Sequence, residues 1–157
     1  MSRYLVVAHK TAESPELLEA LLDIARSDPG AEFELLVPAS PARPLVSEVR
    51  EDRRIADERA ASAARRLAAT GLTVVSAGAG DANVVDAIRD HLTLHSGYHA
   101  LVLATLPPGI SHWLRMDVVA RAERLLGKPV VHVIAEPVPE AQAAPRKALG
   151  QRVSCGG

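Results

Sequence analysis

Two periods alternate along this chain. Short continuous apolar runs are separated by stretches in which apolar residues return every third or fourth position. After Arg3, the run through Ala8 is continuously apolar, the pattern of a strand buried on both faces. Ser14 and Pro15 then form a helix-start signal, and Leu17, Leu18, Leu21, Leu22 and Ile24 continue at helical spacing until Ser27-Asp-Pro-Gly30 stops them. Ala31–Val37 reads as a second strand. Prolines at 38, 41 and 44 predict a loop reaching Val49.

A charged helix is predicted from Arg50 to Thr70, with Ile55, Ala56, Ala60, Ala63, Ala64 and Leu67 as its narrow apolar stripe. Gly71 ends it, and Leu72–Ala77 is a third strand. Gly78 to Asp81 reads as a turn before a third helix, Asn83–Leu94, whose apolar face is Val84, Val85, Ile88 and Leu92. Ala100–Ala104 is a fourth strand. After a Pro-Pro-Gly loop a fourth helix runs from Trp113 to Leu126, and Gly127-Lys-Pro129 introduces a fifth strand, Val130–Ile134. The pattern assigns 1–135 to one α/β domain and 136–157, with its three prolines and little apolar period, to a tail.

Strand–helix alternation repeated five times predicts a doubly wound parallel sheet, in which right-handed crossovers place helices on both faces. Ligands in such sheets bind beyond the carboxyl ends of the strands, where strand order reverses. The segments after strands one and four, His9–Ser14 and Thr105–Asp117, are therefore the ones to inspect.

Composition narrows the partners. A net charge of -1 steers the chain towards neither nucleic acid nor an anionic membrane, and 3% aromatic residues leave few rings for stacking bases. The single cysteine, Cys155, cannot form an internal disulfide, and no apolar run near the N-terminus is long enough for a leader or a membrane span. The expectation is a cytoplasmic protein without nucleic-acid or membrane partners.

Several segments resemble the universal stress protein family. They are the first strand running into His9–Ser14, the Gly80-Asp81-Ala82 turn, Gly97–Ala104 leading through the fourth strand, and Gly127–Val131 opening the fifth. The resemblance spans about residues 3–135 and rests on the order and spacing of these pieces. It implies strand order 3-2-1-4-5 and a homodimer paired through the last strand. It also implies, in many members, ATP held by a Gly-x-x-Gly motif after the fourth strand with Gly-Ser/Thr nine residues on. Glycines there let backbone approach phosphate. This chain departs from that motif at every glycine, with Ala104 and Pro107 at the first two positions and Met116-Asp117 at the last pair. His9 stands where ATP-binding relatives keep an Asp that contacts the nucleoside. The expectation is no conventional ATP cofactor.

Thr105–Asp117 remains the most unusual stretch. One reading makes it a rebuilt binding loop for a small anionic ligand, with Thr105, Gly109, Ser111, His112, Arg115 and Asp117 as its polar groups and Arg115 or a helix N-terminus as the anion receptor. The other makes Ser111 a helix cap, Trp113 an anchor and Asp117 an acid placed to suit the helix dipole. His9 and Thr11 complete the candidate set from the first strand's end, with His9 either a ligand contact or a turn residue.

Other constellations carry less. His91, His95 and His99 are spaced by fours, but Gly97 ends the helix before the third, so they read as solvated residues near a helix end and no metal is expected. Ser111, His112 and Asp117 lack an elbow motif and no enzyme is expected. The arginines of the second helix (Arg50, Arg53, Arg54, Arg59, Arg65 and Arg66) suggest a phosphate-binding face, but Glu51, Asp52, Asp57 and Glu58 are interleaved with them, and the preferred reading is a solvated, salt-bridged face. His132, inside the last strand, reads either as the border of a dimer interface or as a backbone-bonded core histidine. Two functions stay open: a non-catalytic, dimeric regulatory module of the stress-protein kind, and a small-ligand binder using the 105–117 loop.

Overall fold

The computed structural model describes residues 2–39 and 46–136, the side chains of 46–51 and of His112 excepted. Part of the predicted 38–49 loop, all but the first residue of the 136–157 tail, and Cys155 lie outside the described residues. Five strands, β1 (Arg3–Val7), β2 (Glu32–Pro38), β3 (Thr73–Gly80), β4 (Ala100–Thr105) and β5 (Val130–Ile134), alternate with helices α1 (Pro15–Ser27), α2 (Val46–Ala69), α3 (Val84–Leu94), α4 (His112–Arg115) and α5 (Val118–Leu126). The strands form one parallel sheet in the order β3-β2-β1-β4-β5, as expected for a doubly wound α/β fold.

Alternation along the central strands divides the core into two layers. Tyr4 and Val6 of β1 and Ala8 just beyond it, with Ala100, Val102 and Ala104 of β4, pack against Leu17 and Leu21 of α1 and the Ala56, Ala60, Ala63 and Leu67 stripe of α2. Leu5, Val7, Leu101 and Leu103 point the other way, onto α3 and α5. Leu17 and Leu21 are wholly buried, and burial of each such side chain contributes roughly 2 kcal/mol. The alanine stripe lets α2 approach the sheet closely.

The helix starts follow their sequence signals. Ser14 Oγ accepts from the Leu17 amide at 3.2 Å, with Pro15 in the first turn. Asn83 Oδ1 accepts from the amides of Val85 and Asp86 at 3.0 and 3.2 Å. Three boundaries differ from the sequence pattern. Helix α2 begins at Val46, inside the stretch read as loop. Gly78–Gly80 extends β3 rather than turning, because β2 continues opposite it to pair Pro38 with Gly80. The predicted fourth helix is two helices, broken where Asp117 takes a left-handed conformation, φ 54°.

One charged residue stands inside the sheet. Glu34, 6% exposed, lies opposite Leu5 in β2. Tyr98 donates its hydroxyl to Glu34 Oε2 at 2.6 Å, His91 Nε2 lies 3.2 Å from the same oxygen, and Arg3 Nε lies 3.4 Å from Oε1. Burial opposes ionisation of Glu34, but the hydrogen bonds from Tyr98 and His91, with the charges of His91 and Arg3, outweigh it and hold the carboxyl below its ordinary range. Burial and the Glu34 contact push the Tyr98 hydroxyl up. His91 is thus not a solvated residue as its spacing implied; its ring also lies 4.7 Å from that of His95. His99 leaves the helix and meets the Tyr4 ring edge-on at 5.5 Å. Among the described residues no cluster of His, Cys, Asp or Glu could hold a metal ion.

Candidate functional site

Strand order reverses between β1 and β4, and a cleft of about 500 Å³ opens beyond the ends of these strands. Each wall comes from a different element. The turn after β1 supplies His9, Lys10 and Thr11; the end of β2 supplies Pro38 and Ala39; the start of α3 supplies Ala82, Asn83 and Val84. The end of β4 and the loop after it supply Ala104, Thr105, Leu106, Ile110 and Ser111, and the short α4 with the break behind it supplies Trp113 and Met116.

The β1 turn is built tightly. The Ala12 amide donates to the His9 carbonyl at 3.2 Å and the Ser14 amide to the Thr11 carbonyl at 3.0 Å. Thr11, 2% exposed, donates its hydroxyl to the Ala104 carbonyl at 3.1 Å and so ties β1 to β4 across the switch point. His9 is half-buried, and its Nε2 lies 3.3 Å from Nη1 of Arg59 on α2. A guanidinium can only donate, so Nε2 accepts and the neutral ring carries its proton on Nδ1. Burial, then the positive charges of Arg59 and Lys10, lower the His9 pKa from 6.5 to about 4. At neutral pH this ring is uncharged.

Across the cleft, the 105–117 segment is held by its own backbone. The Ile110 and Ser111 amides donate to the Pro107 carbonyl at 3.2 and 3.1 Å, and Gly109 has φ +96°, a region that only glycine adopts without strain. Arg115 closes this turn by donating from Nη2 to the Gly109 carbonyl at 3.0 Å. Ser111 Oγ accepts from the Leu114 amide at 3.2 Å and caps α4. Thr105 Oγ1 lies 2.8 Å from Nε2 of His132 on β5, a side-chain contact neither reading of His132 included; burial lowers the pKa of that imidazole.

Of the residues singled out from sequence, the structure gathers His9, Thr11, Thr105 and Ser111 around the cleft. Gly109 and Arg115 lie outside its lining, engaged with each other. Asp117 is exposed beside the helix break, and its carboxylate caps nothing. His112 opens α4, but its side chain lies outside the described residues. Lys10 and Asn83 line the cleft without having been singled out, and Arg59 stands behind it. Lys10 adjoins His9 in the segment flagged for inspection, and Asn83 follows the Gly-Asp-Ala turn. Arg59 is one of the helix arginines that suggest a phosphate-binding face, a reading set aside because acids are interleaved with them and nothing in that pattern singles out Arg59.

The chemistry of the lining is lopsided. Among the described residues that line the cleft there is one cation, Lys10, and no carboxylate. Leu106, Ile110, Trp113 and Met116 make the opposite side apolar. Such a cleft suits a ligand with an anionic end and a flat or apolar body.

Known structures share this architecture. A universal stress protein from Archaeoglobus fulgidus superposes with a TM-score of 0.57 at 17% identity, over 85% of this chain and 93% of that one. The chain has the universal stress protein fold. A universal stress protein in complex with cAMP gives a TM-score of 0.56 at 18% identity, covering 86% of this chain and 98% of its own. A universal stress protein family protein from Arabidopsis thaliana with AMP bound gives 0.55 at 14% identity, covering 93% and 99%. No family model matches the chain, and no curated protein matches it significantly. Among the described residues of this universal-stress-protein fold, no helix is long and apolar enough to cross a membrane.

Proposed function

We propose that this protein is a non-catalytic regulatory module of the universal stress protein kind whose switch-point cleft binds a small anionic ligand of nucleoside monophosphate size. The observation that carries this reading is the cleft itself: about 500 Å³, one apolar side, one cationic side chain and no carboxylate among its described lining residues. A solved protein of this fold is described with AMP bound and another in complex with cAMP, which supports the ligand class. A triphosphate is disfavoured by this sequence. Pro107 has no amide hydrogen to offer, and Met116 brings a side chain to the wall where a phosphate grip would need bare backbone.

A second element of the reading concerns β5. At this edge of the sheet Val131 and Ile134 are 37% and 48% exposed, and an unpaired edge with apolar side chains favours pairing with a second copy. The regulatory unit is then a homodimer. Its lone cysteine suits the reducing cytoplasm.

The ligand reading is tested by thermal shift with AMP on the wild type and on Ala82→Trp, which places a large ring in the cleft wall. Stabilisation of the wild type by millimolar AMP, absent in the variant, supports it. Equal shifts in both proteins, or none in either, reject it.

A further inference from the structure

The two poles of the cleft differ in charge, and the difference is opposite to what a phosphate grip in the β4 loop requires. The β4 pole is stiffened by Pro107 and Pro108 and apolar apart from Thr105 and Ser111, whose hydroxyls contact His132 and the Leu114 amide, and the guanidinium of Arg115 is committed to the Gly109 carbonyl. The β1 pole holds Lys10 on the cleft wall and Arg59 one hydrogen bond behind it through His9. Neither cation forms an ion pair among the described residues. The neighbouring carboxylates face elsewhere: Asp57 accepts from the Ala79 amide at 2.8 Å, and Glu13 takes Ser62 at 2.7 Å and Arg66 at 3.7 Å. Two cations without an ion pair among the described residues thus bear on one end of the cleft, at a turn whose imidazole is bound to one of them.

We propose that the cleft takes the anionic group of its ligand at the β1–α1 turn, on Lys10, with the ligand's apolar body against Trp113 and Met116, and that Arg59 is a positioning residue that fixes the tautomer of His9. This inference rests on the ligand-binding reading above and adds the direction in which the ligand lies. The physical basis is simple. An anion entering the β1 pole meets positive potential from Lys10 and Arg59, with no carboxylate among the described residues of the cleft wall. An anion at the β4 pole meets a proline-stiffened loop with no cation on the cleft wall and with its two hydroxyls, Thr105 and Ser111, already in contact with protein partners. The guanidinium also selects the Nδ1–H form of His9, so the imidazole enters the site as a neutral group of fixed polarity.

The test maps an anion without presupposing the nucleotide. Inorganic pyrophosphate is titrated into labelled protein while backbone amide resonances are followed, and AMP and adenosine affinities are compared in the wild type, Lys10→Ala, Arg59→Met and Arg59→Lys. Pyrophosphate is expected to move the amides of Lys10, Thr11 and Ala12 most. AMP is expected to bind about tenfold tighter than adenosine in the wild type. In Lys10→Ala and Arg59→Met that preference drops to about threefold or less, and Arg59→Lys restores part of it. In Arg59→Met the His9 titration midpoint also rises from about 4 towards 6.5, and the imidazole nitrogen shifts no longer report a single Nδ1–H tautomer, whereas Arg59→Lys keeps the midpoint low. Lys10 is exposed and Arg59 only half-buried, so both variants keep the fold. Shifts confined to residues 106–111, no shift at all, or an AMP preference unchanged in both variants overturns the inference. Pyrophosphate shifts at Lys10 without binding of AMP or adenosine support the anion pole while rejecting the nucleotide reading.

Discussion

Tyr98 donates a hydrogen bond of 2.6 Å to Glu34 across 64 residues of chain, joining the segment before β4 to the middle of β2. Both side chains are buried, and His91 and Arg3 complete the ring of donors around the carboxylate. A carboxylate inside a parallel sheet is tolerable only when its charge and lone pairs are met in this way. The contact therefore fixes α3 and the turn after it against the sheet.

Removing either partner exposes that dependence. Tyr98→Phe is expected to cost about 1–2 kcal/mol, the loss of a hydrogen bond to a charged group. Glu34→Ala strands three donors and leaves a gap in the sheet face, and is expected to cost about 3 kcal/mol. Urea unfolding at neutral pH measures both. Equal, small losses for the two variants contradict the role given to Glu34.

Acid is expected to weaken the fold in two windows. His9 has a folded pKa of about 4 against an ordinary 6.5. Between those values the unfolded chain binds a proton that the folded one does not, so stability falls as pH drops through the window and levels below it. With His9 only partly shielded from solvent, the loss is on the order of 1 kcal/mol. Glu34 has a depressed folded pKa, so its contribution is present above its ordinary 4.5 and is lost as pH falls below that through the folded value. Urea unfolding from pH 7 to pH 3 separates them: His9→Gln flattens the first window, Glu34→Gln the second.

Gly80 is required for space rather than for backbone freedom. A Cβ there would stand 2.8 Å from Ala87 Cβ and 2.9 Å from Leu36 Cδ1, where α3 meets β2. Gly80→Ala is expected to destabilise by about 1–3 kcal/mol through overpacking. Gly71→Ala meets no neighbour within 4 Å, and its cost comes from its positive φ instead. Thermal unfolding of the two variants, with crystal structures showing whether α3 shifts, tests the distinction.

Arg115 and Lys10 should separate cleanly in function. Arg115 is exposed and closes the 107–111 turn from outside the cleft. Arg115→Ala is expected to change AMP affinity by less than about threefold while speeding hydrogen exchange at Ile110 and Ser111. Lys10→Ala is expected to lower AMP affinity by about tenfold. Calorimetric titration ranks them, and the reverse order would return the anion site to the β4 loop.

Much of this architecture was legible in the residues. Unbroken apolar runs at Arg3–Ala8 and Ala100–Ala104 mark strands covered on both faces, and Ser14-Pro15 marks a helix start whose cap is formed as expected. The misread boundaries share a cause. Gly78–Gly80 has turn composition, yet the ladder with Leu36–Pro38 holds it in the sheet. The break at Asp117 carries no proline or glycine to announce it.

The cleft was legible in part. The switch-point rule points to His9–Ser14 and Thr105–Asp117, and residues of both segments, His9, Thr11, Thr105 and Ser111 among them, line the cleft. The rule says nothing of which side chains turn inward. Arg115 looked like the natural anion receptor because it lies in the unusual loop, but its guanidinium is spent on the Gly109 carbonyl. Arg59 looked like surface, and its approach to His9 spans 50 residues of sequence, a contact that no local pattern encodes. Glu34 was hidden likewise, its donors coming from β1, α3 and the segment before β4.

The central claim is that the cleft binds a small anionic ligand without the means to grip a triphosphate, and calorimetric titration of the wild-type protein with AMP, and with ATP in the presence of magnesium, tests it most directly. The expected result is measurable, saturable heat with AMP and no tighter binding of ATP. Absence of heat with both, or magnesium-dependent ATP binding more than about tenfold tighter than AMP, would contradict it.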